Sequence, residues 1–258
     1  MSNLGKFIDG ANTLFNRASQ FTNEIRGASI KTPYPDDIVI DFDTADKLKK
    51  VCEKLHSGVT AWLNPNPADR MQDMVLEKFD AKKQPKLTAA ELLGKLEQDL
   101  ATEMSQESSS DQFGLMLSQH GQMQAEIGAA ERQLIMEIQK GFLSTAKHYL
   151  DVVYPSINTQ RRSLEVTRLD YDASKQKKDS CTAEDKIRPL IAAFEMNQTK
   201  YNEALQKTRE VNAQLKMIQG DLRENFKAMA SAQVRYYTAC HEQSRKLTAK
   251  WDSSNLRA

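Results

Sequence analysis

From Pro189 to Trp251 the chain holds a single apolar face with no further proline to interrupt it. Leu190, Phe194, Tyr201, Leu205, Leu215, Ile218, Leu222, Phe226, Met229, Tyr236 and Cys240 recur at helical spacing along it. A helix of about 60 residues rises on the order of 90 Å, longer than the diameter of a globular domain of this size. The chain is therefore expected to be all-α and elongated, and no 20–50-residue repeat points to a solenoid. The composition fits long helices, with 28% charged residues, 7% aromatic, and few glycines or prolines.

Two more helical patterns precede it. Residues 36–63 place Phe42, Ala45, Leu48, Leu55 and Val59 on one side, and Pro65-Asn66-Pro67 ends that helix. From Gln112 a long pattern runs through Leu117, Ile127, Leu134, Phe142 and Tyr149. It resumes beyond Pro155 through Ile157, Leu164 and Tyr171, so Pro155 reads as a kink. Between them lies an insert, 64–88, closed by a capping box at Thr88–Glu91 that restarts a helix with Leu92, Leu93, Leu96 and Leu100. Ser105–Asp111 reads as a polar turn, residues 175–188 as a polar, basic loop, and Pro189 as a first-turn residue. The expected division is residues 1–30, a body over 31–251 and a tail, 252–258. Within the body the second helix covers about 112–176 and the third about 187–251. Three helices with one stripe each make a thin antiparallel bundle, so two copies burying their stripes together form the expected unit.

Residues 1–27 carry Leu4, Phe7, Ala11, Leu14, Ala18, Phe21 and Ile25 in unbroken 3-4 spacing, widened by Ile8 and Phe15. Such an amphipathic segment either docks on the body or lies in a membrane interface. No apolar run is long enough to span a bilayer, and the N-terminus lacks a secretory h-region. Three scattered cysteines suit a reducing cytosol. A cytoplasmic protein is expected.

Catalytic signatures are missing. There is no phosphate loop, no Cys-x-x-Cys and no His-Glu-x-x-His. Cys52 and His56 share a helix face but have no second ligand pair nearby. Asp41–Asp46 fails as a calcium loop because its sixth position is Asp46 and its twelfth Cys52. The reading is a non-enzyme without cofactor or metal. Net charge is +1, so an anionic partner must be met by local patches. These are Lys6 and Arg17 near the N-terminus; Lys78, Lys82, Lys83 and Lys86 in the insert; and Lys175, Lys177 and Lys178, preceded by Arg161, Arg162 and Arg168. Without interleaved aromatics they do not suggest nucleic acid.

Several stretches resemble the endophilins. Trp62-Leu63-Asn64-Pro65-Asn66-Pro67-Ala68-Asp69-Arg70 is similar to the break in their first BAR helix, and Phe15–Glu24 resembles the N-terminal helix of the endophilin B branch. Glu77–Asp80, Glu91–Gly94, Ile127–Arg132, Arg168–Ala173 and Tyr236–Cys240 follow in order. The resemblance implies an N-BAR domain: a long, kinked, three-helix antiparallel coiled coil forming a crescent-shaped homodimer, or a heterodimer with a related BAR chain. It implies a protein that senses and generates curvature of anionic intracellular membranes in vesicle trafficking or endocytosis. Leu4, Phe7, Ile8, Leu14 and Phe15 would be one inserting wedge, Met71, Met74, Val75 and Phe79 a second, and the basic groups the lipid contacts. Two departures stand out. The family's kink proline is replaced by Thr145, and the chain ends without the SH3 domain, so no proline-rich ligand is expected through it. The alternative is a coiled-coil adaptor for a partner protein such as a small GTPase or a related BAR chain.

Overall fold

The computed structural model describes residues 17–22, 24, 31–66, 68, 87–107 and 112–253. Among these there is no strand. Residues 17–22 are helical, and the helices that follow are α1 (Asp36–Leu63), α2 (Ala89–Glu107), α3 (Gln112–Ile138), α4 (Ser144–His148), α5 (Tyr154–Asp179) and α6 (Glu184–Ser253). Wide π-helical turns, Gln139–Leu143 and Tyr149–Val153, join α3 to α4 and α4 to α5. The fold is all-α, with long helices packed antiparallel. The chain divides into two compact units, one of residues 1–52 and 148–219, the other of residues 53–147 and 220–258.

In the first unit the pairings fix the direction of each helix. Tyr34, just before α1, meets Glu165 of α5, while further along α1 the Ala45 carbonyl accepts from Tyr149 in the wide turn that precedes α5. Along α5 and α6, Tyr171 stacks on Tyr201 while Gln160 reaches Thr208. Partner numbers run in opposite senses in both pairs, so both are antiparallel. Ile38, Phe42, Ala45, Cys52, Tyr149, Ile157, Leu164 and Leu215 fill the core. Burial pushes the Cys52 thiol up to about 11, so Cys52 is packed as a small apolar residue.

The second unit holds an αα-hairpin of α2 and α3. The capping box is formed: the Thr88 N–H donates to Glu91 Oε2 at 2.9 Å and the Glu91 N–H to Thr88 Oγ1 at 3.2 Å. The two helices then approach through glycines. A Cβ on Gly94 would lie 2.5 Å from the Gly121 carbonyl oxygen, and one on Gly121 would lie 2.7 Å from that of Gly94. Further on, Leu134, Ile138, Phe142, Leu143 and Ala232 form a core flanked by Val59, Leu63 and Leu222.

Pro155 lies in the first turn of α5, and the chain runs into it as helix without interruption through the wide turn Tyr149–Val153, which agrees with a kink rather than an end. Its missing N–H and its ring would conflict with the turn before it, and the π-turn Tyr149–Val153 occupies that place. Three other local expectations change. The basic loop shrinks to residues 180–183, because α5 continues to Asp179 and α6 begins at Glu184. Lysine and glutamine are good helix formers that need no core, and Glu184 and Asp185 suit a helix N-terminus. Pro189 consequently falls inside α6, beyond its first turn. Residues 105–107 extend α2 where a polar turn was expected.

Candidate functional site

Three features of the described residues stand out: a buried ionic network, a basic tip and an uncovered apolar stripe. The first is a charged clasp in the first unit. Arg168 on α5 is fully buried. Its guanidinium donates to Glu24 at 2.9 and 2.8 Å, to Glu165 at 3.2 and 2.7 Å, and to Asp172 at 2.6 Å. Thr32 donates to Asp172 through its N–H and its hydroxyl, and Tyr34 donates to Glu165. Two residues beyond Arg168, Asp170 accepts both arms of the Arg17 fork at 2.8 and 2.7 Å. Glu165, Arg168 and Asp172 lie on one helical face at i, i+3 and i+7, which is why α5 can present them together. Burial alone would raise the Glu24 and Glu165 carboxyls, but hydrogen bonds from Arg168, with Gln20 and Tyr34 respectively, hold both below the usual range. Burial likewise opposes the Arg168 charge, yet its carboxylate partners raise the pKa further.

The second is the tip where α5 ends and α6 begins. Lys177 and Lys178 lie in the last turn of α5, with Lys175 just before, where cations favour the helix dipole. Lys178 Nζ sits 4.1 Å over the Phe194 ring and 3.3 Å from Asp179. Lys175, Lys177, Lys186 and Arg188 are exposed.

The third is apolar and uncovered. On α2, Glu91, Gly94 and Ala101 face inward and are buried, whereas Leu92 (57% exposed), Leu93, Leu96 (55%) and Leu100 form a stripe open to solvent. Phe113 and Leu115 on α3 are equally open. Four leucines at i, i+1, i+4 and i+8 on one helix form a contiguous patch, beyond the isolated apolar residues normal on a surface.

Of the residues expected to touch lipid, Leu4, Lys6, Phe7, Ile8, Leu14, Phe15, Met71, Met74, Val75, Lys78, Phe79, Lys82, Lys83 and Lys86 lie outside the described residues. The structure brings Lys175, Lys177 and Lys178 together at the tip. It commits Arg17 to Asp170, and Arg161 to Asp46 at 3.1 Å, with the Arg161 guanidinium also over the Phe42 ring. Arg162 is exposed. Arg168, grouped by sign with its basic neighbours, is instead interior. Its signal in the sequence is the Glu-x-x-Arg-x-x-x-Asp spacing.

Among the described residues no helix is long and apolar enough to cross a membrane, and no three or more His, Cys, Asp or Glu are grouped to hold a metal ion. Human endophilin-B1 is 27% identical over 240 residues, 93% of this chain and 65% of that protein. The chicken (Gallus gallus) endophilin-B1 is 26% identical over the same length. Human endophilin-B2 is 32% identical over 193 residues, 75% of this chain and 48% of that protein. The chain thus spans less than two thirds of the length of these relatives. Residues 11–253 match the BAR domain, and the chain belongs to that family of non-enzymatic, membrane-binding proteins.

Proposed function

We propose that this chain is a peripheral protein of intracellular membranes. It binds anionic bilayers as a homodimer, and senses and generates curvature in vesicle trafficking or endocytosis. The observation that carries this reading is the basic tip, Lys175, Lys177 and Lys178, in a BAR-family chain. Each cation near an anionic bilayer contributes about 1 kcal/mol, decaying within a Debye length. One tip is therefore weak, and a dimer presenting two is far stronger by avidity. The amphipathic segments at residues 4–15 and 71–79 would add wedges, with Lys6, Lys78, Lys82, Lys83 and Lys86 beside them. Co-sedimentation with phosphatidylserine-containing vesicles tests it. Binding is expected at low salt, weakening as salt rises, and Lys175→Glu with Lys177→Glu should weaken it at least tenfold. Salt-independent binding, or none at low salt, would overturn it.

The leucine stripe on α2 supports the dimer. An exposed patch of this kind is best covered by a second copy, as C2 pairing places the same surface on both sides. Leu92→Glu with Leu96→Glu should leave helix content unchanged and yield monomers in sedimentation equilibrium; a surviving dimer would place the contact elsewhere. The same stripe also favours the adaptor reading, with a related BAR chain as occupant. Mixed dimers with such a chain, in place of homodimers, would decide for it.

A further inference from the structure

The connection between α5 and α6 carries a hydroxyl that the membrane reading leaves unused. Residues 180–183, Ser180-Cys181-Thr182-Ala183, are the only non-helical backbone between Tyr154 and Ser253. Ser180 closes α5: its N–H donates to the Gln176 carbonyl at 3.0 Å and its hydroxyl to the Lys177 carbonyl at 3.3 Å. Thr182 is different. It is exposed, and its hydroxyl has no hydrogen bond among the described residues. The charges around it are ordered along the chain. Lys175, Lys177 and Lys178 precede it, Asp179 stands three positions before, and Glu184 and Asp185 follow at two and three positions. With Lys186 and Arg188 included, residues 175–188 hold five cations against three anions, a net charge of +2.

We propose that Thr182 is a phosphorylation site for an acid-directed protein kinase, and that one phosphate there switches off the basic tip. The switch rests on the membrane reading above. An acceptor inside a helix must be unwound before it can enter a kinase cleft, whereas Thr182 stands where the backbone is already non-helical. Charge selects the class of kinase. Glu184 and Asp185 suit a basic substrate groove, and Asp179 would repel an acidic one. In the transfer the Thr182 hydroxyl oxygen attacks the γ-phosphorus of a nucleoside triphosphate. The new O–P bond forms as the bond to the bridging β,γ oxygen breaks, a carboxylate of the kinase takes the hydroxyl proton, and nucleoside diphosphate leaves. The phosphate brings a charge of about −1.5 to −2 at neutral pH, which cancels most or all of the +2 on residues 175–188. Exposed Lys175, Lys177, Lys186 and Arg188 keep their charges, but the tip as a whole no longer attracts an anionic bilayer. Polybasic segments leave membranes on phosphorylation by the same balance.

Two readouts test this, one for the site and one for its effect. Incubated with ATP and an acid-directed serine/threonine kinase, the native chain should take up one phosphate on Thr182, located by peptide mass spectrometry. Thr182→Ala should abolish that uptake, Ser180→Ala should leave it, and Glu184→Gln with Asp185→Asn should slow it about tenfold or more. On phosphatidylserine–phosphatidylcholine vesicles at low salt, the phosphorylated chain should bind about tenfold more weakly than the unmodified one. That difference should shrink as salt rises, circular dichroism should not change, and phosphatase treatment should restore binding. No uptake on Thr182, or binding that a phosphate on Thr182 leaves unchanged, would overturn the proposal. Weaker binding with lost helix content would overturn it too, since unfolding and not charge would then be the cause. Absence of vesicle binding by the unmodified chain would instead overturn the membrane reading, and the uptake measurement would still decide whether Thr182 is an acceptor.

Discussion

Arg168→Met is expected to destabilise the first unit by about 3–5 kcal/mol, the usual cost of removing one partner from a buried ionic network. The side chain is fully buried, and its loss leaves Glu24, Glu165 and Asp172 converging on an apolar thioether. Thr32 and Tyr34 still donate to Asp172 and Glu165, so the carboxylates are hydrogen-bonded but no longer neutralised. Arg168→Lys should recover only part of the loss, because an ammonium cannot reproduce the fork to three carboxylates. Denaturant unfolding followed by hydrogen exchange on α5 and α6 would measure it, and a change under about 1 kcal/mol would show that the network is dispensable.

Acid gives an independent reading of the same residues. In the native chain Glu24 and Glu165 are held below their ordinary values. Their contribution to stability is therefore complete above the unfolded carboxylate range and is lost as the pH falls through the depressed folded values. In Arg168→Met the sign should reverse. Crowded, buried carboxylates without a cation have raised values, so in the variant these groups add stability as the pH falls from about 6 to about 4, and the gap to the native chain narrows.

Helical content was legible because apolar residues at period 3.6 leave few alternatives over about 60 residues, and the Thr88–Glu91 box was legible because both partners sit within four positions. Arg168 was not. In sequence it stands among other cations, and Glu24, which helps neutralise it, lies 144 residues away. The α2 stripe hid for a different reason. Leu92, Leu96 and Leu100 have the same spacing whether they face their own core or a second chain, and only the glycine face behind them shows that the core side is already taken. That glycine face did leave a trace: Gly114, Gly121 and Gly128 recur every seven residues and all are buried on α3, the spacing of a seam between close helices. The tip of α5 was misread as loop because polar sequence was equated with irregular backbone, whereas a lysine-rich helix end needs no core to persist.

Gly94→Val should be the most damaging single change in the α2–α3 hairpin, and its effect should reach the self-association proposed above. Even the Cβ of alanine would lie 2.5 Å from the Gly121 carbonyl oxygen and 3.1 Å from the Ala125 nitrogen. These are backbone atoms, so relief requires moving a whole helix and not a side-chain rotamer. Overpacking typically costs about 1–3 kcal/mol, and a β-branched residue against backbone belongs at the upper end or beyond. Separating the helices at Gly94 also shifts the ion pair of Glu91 with Arg132 and the contact of Glu97 with His120 at 2.8 Å, which lie on either side along the hairpin. The leucines at 92, 93, 96 and 100 are carried by α2 and oriented by this seam. Gly94→Val should thus weaken self-association at least tenfold without altering any residue of the apolar stripe, while Gly58→Ala on α1, where an added methyl meets nothing within 4 Å, should leave it unchanged. Sedimentation equilibrium with circular dichroism on both variants checks this. Native self-association in Gly94→Val would mean that the stripe does not depend on the hairpin, and would separate the apolar patch from the interface assigned to it.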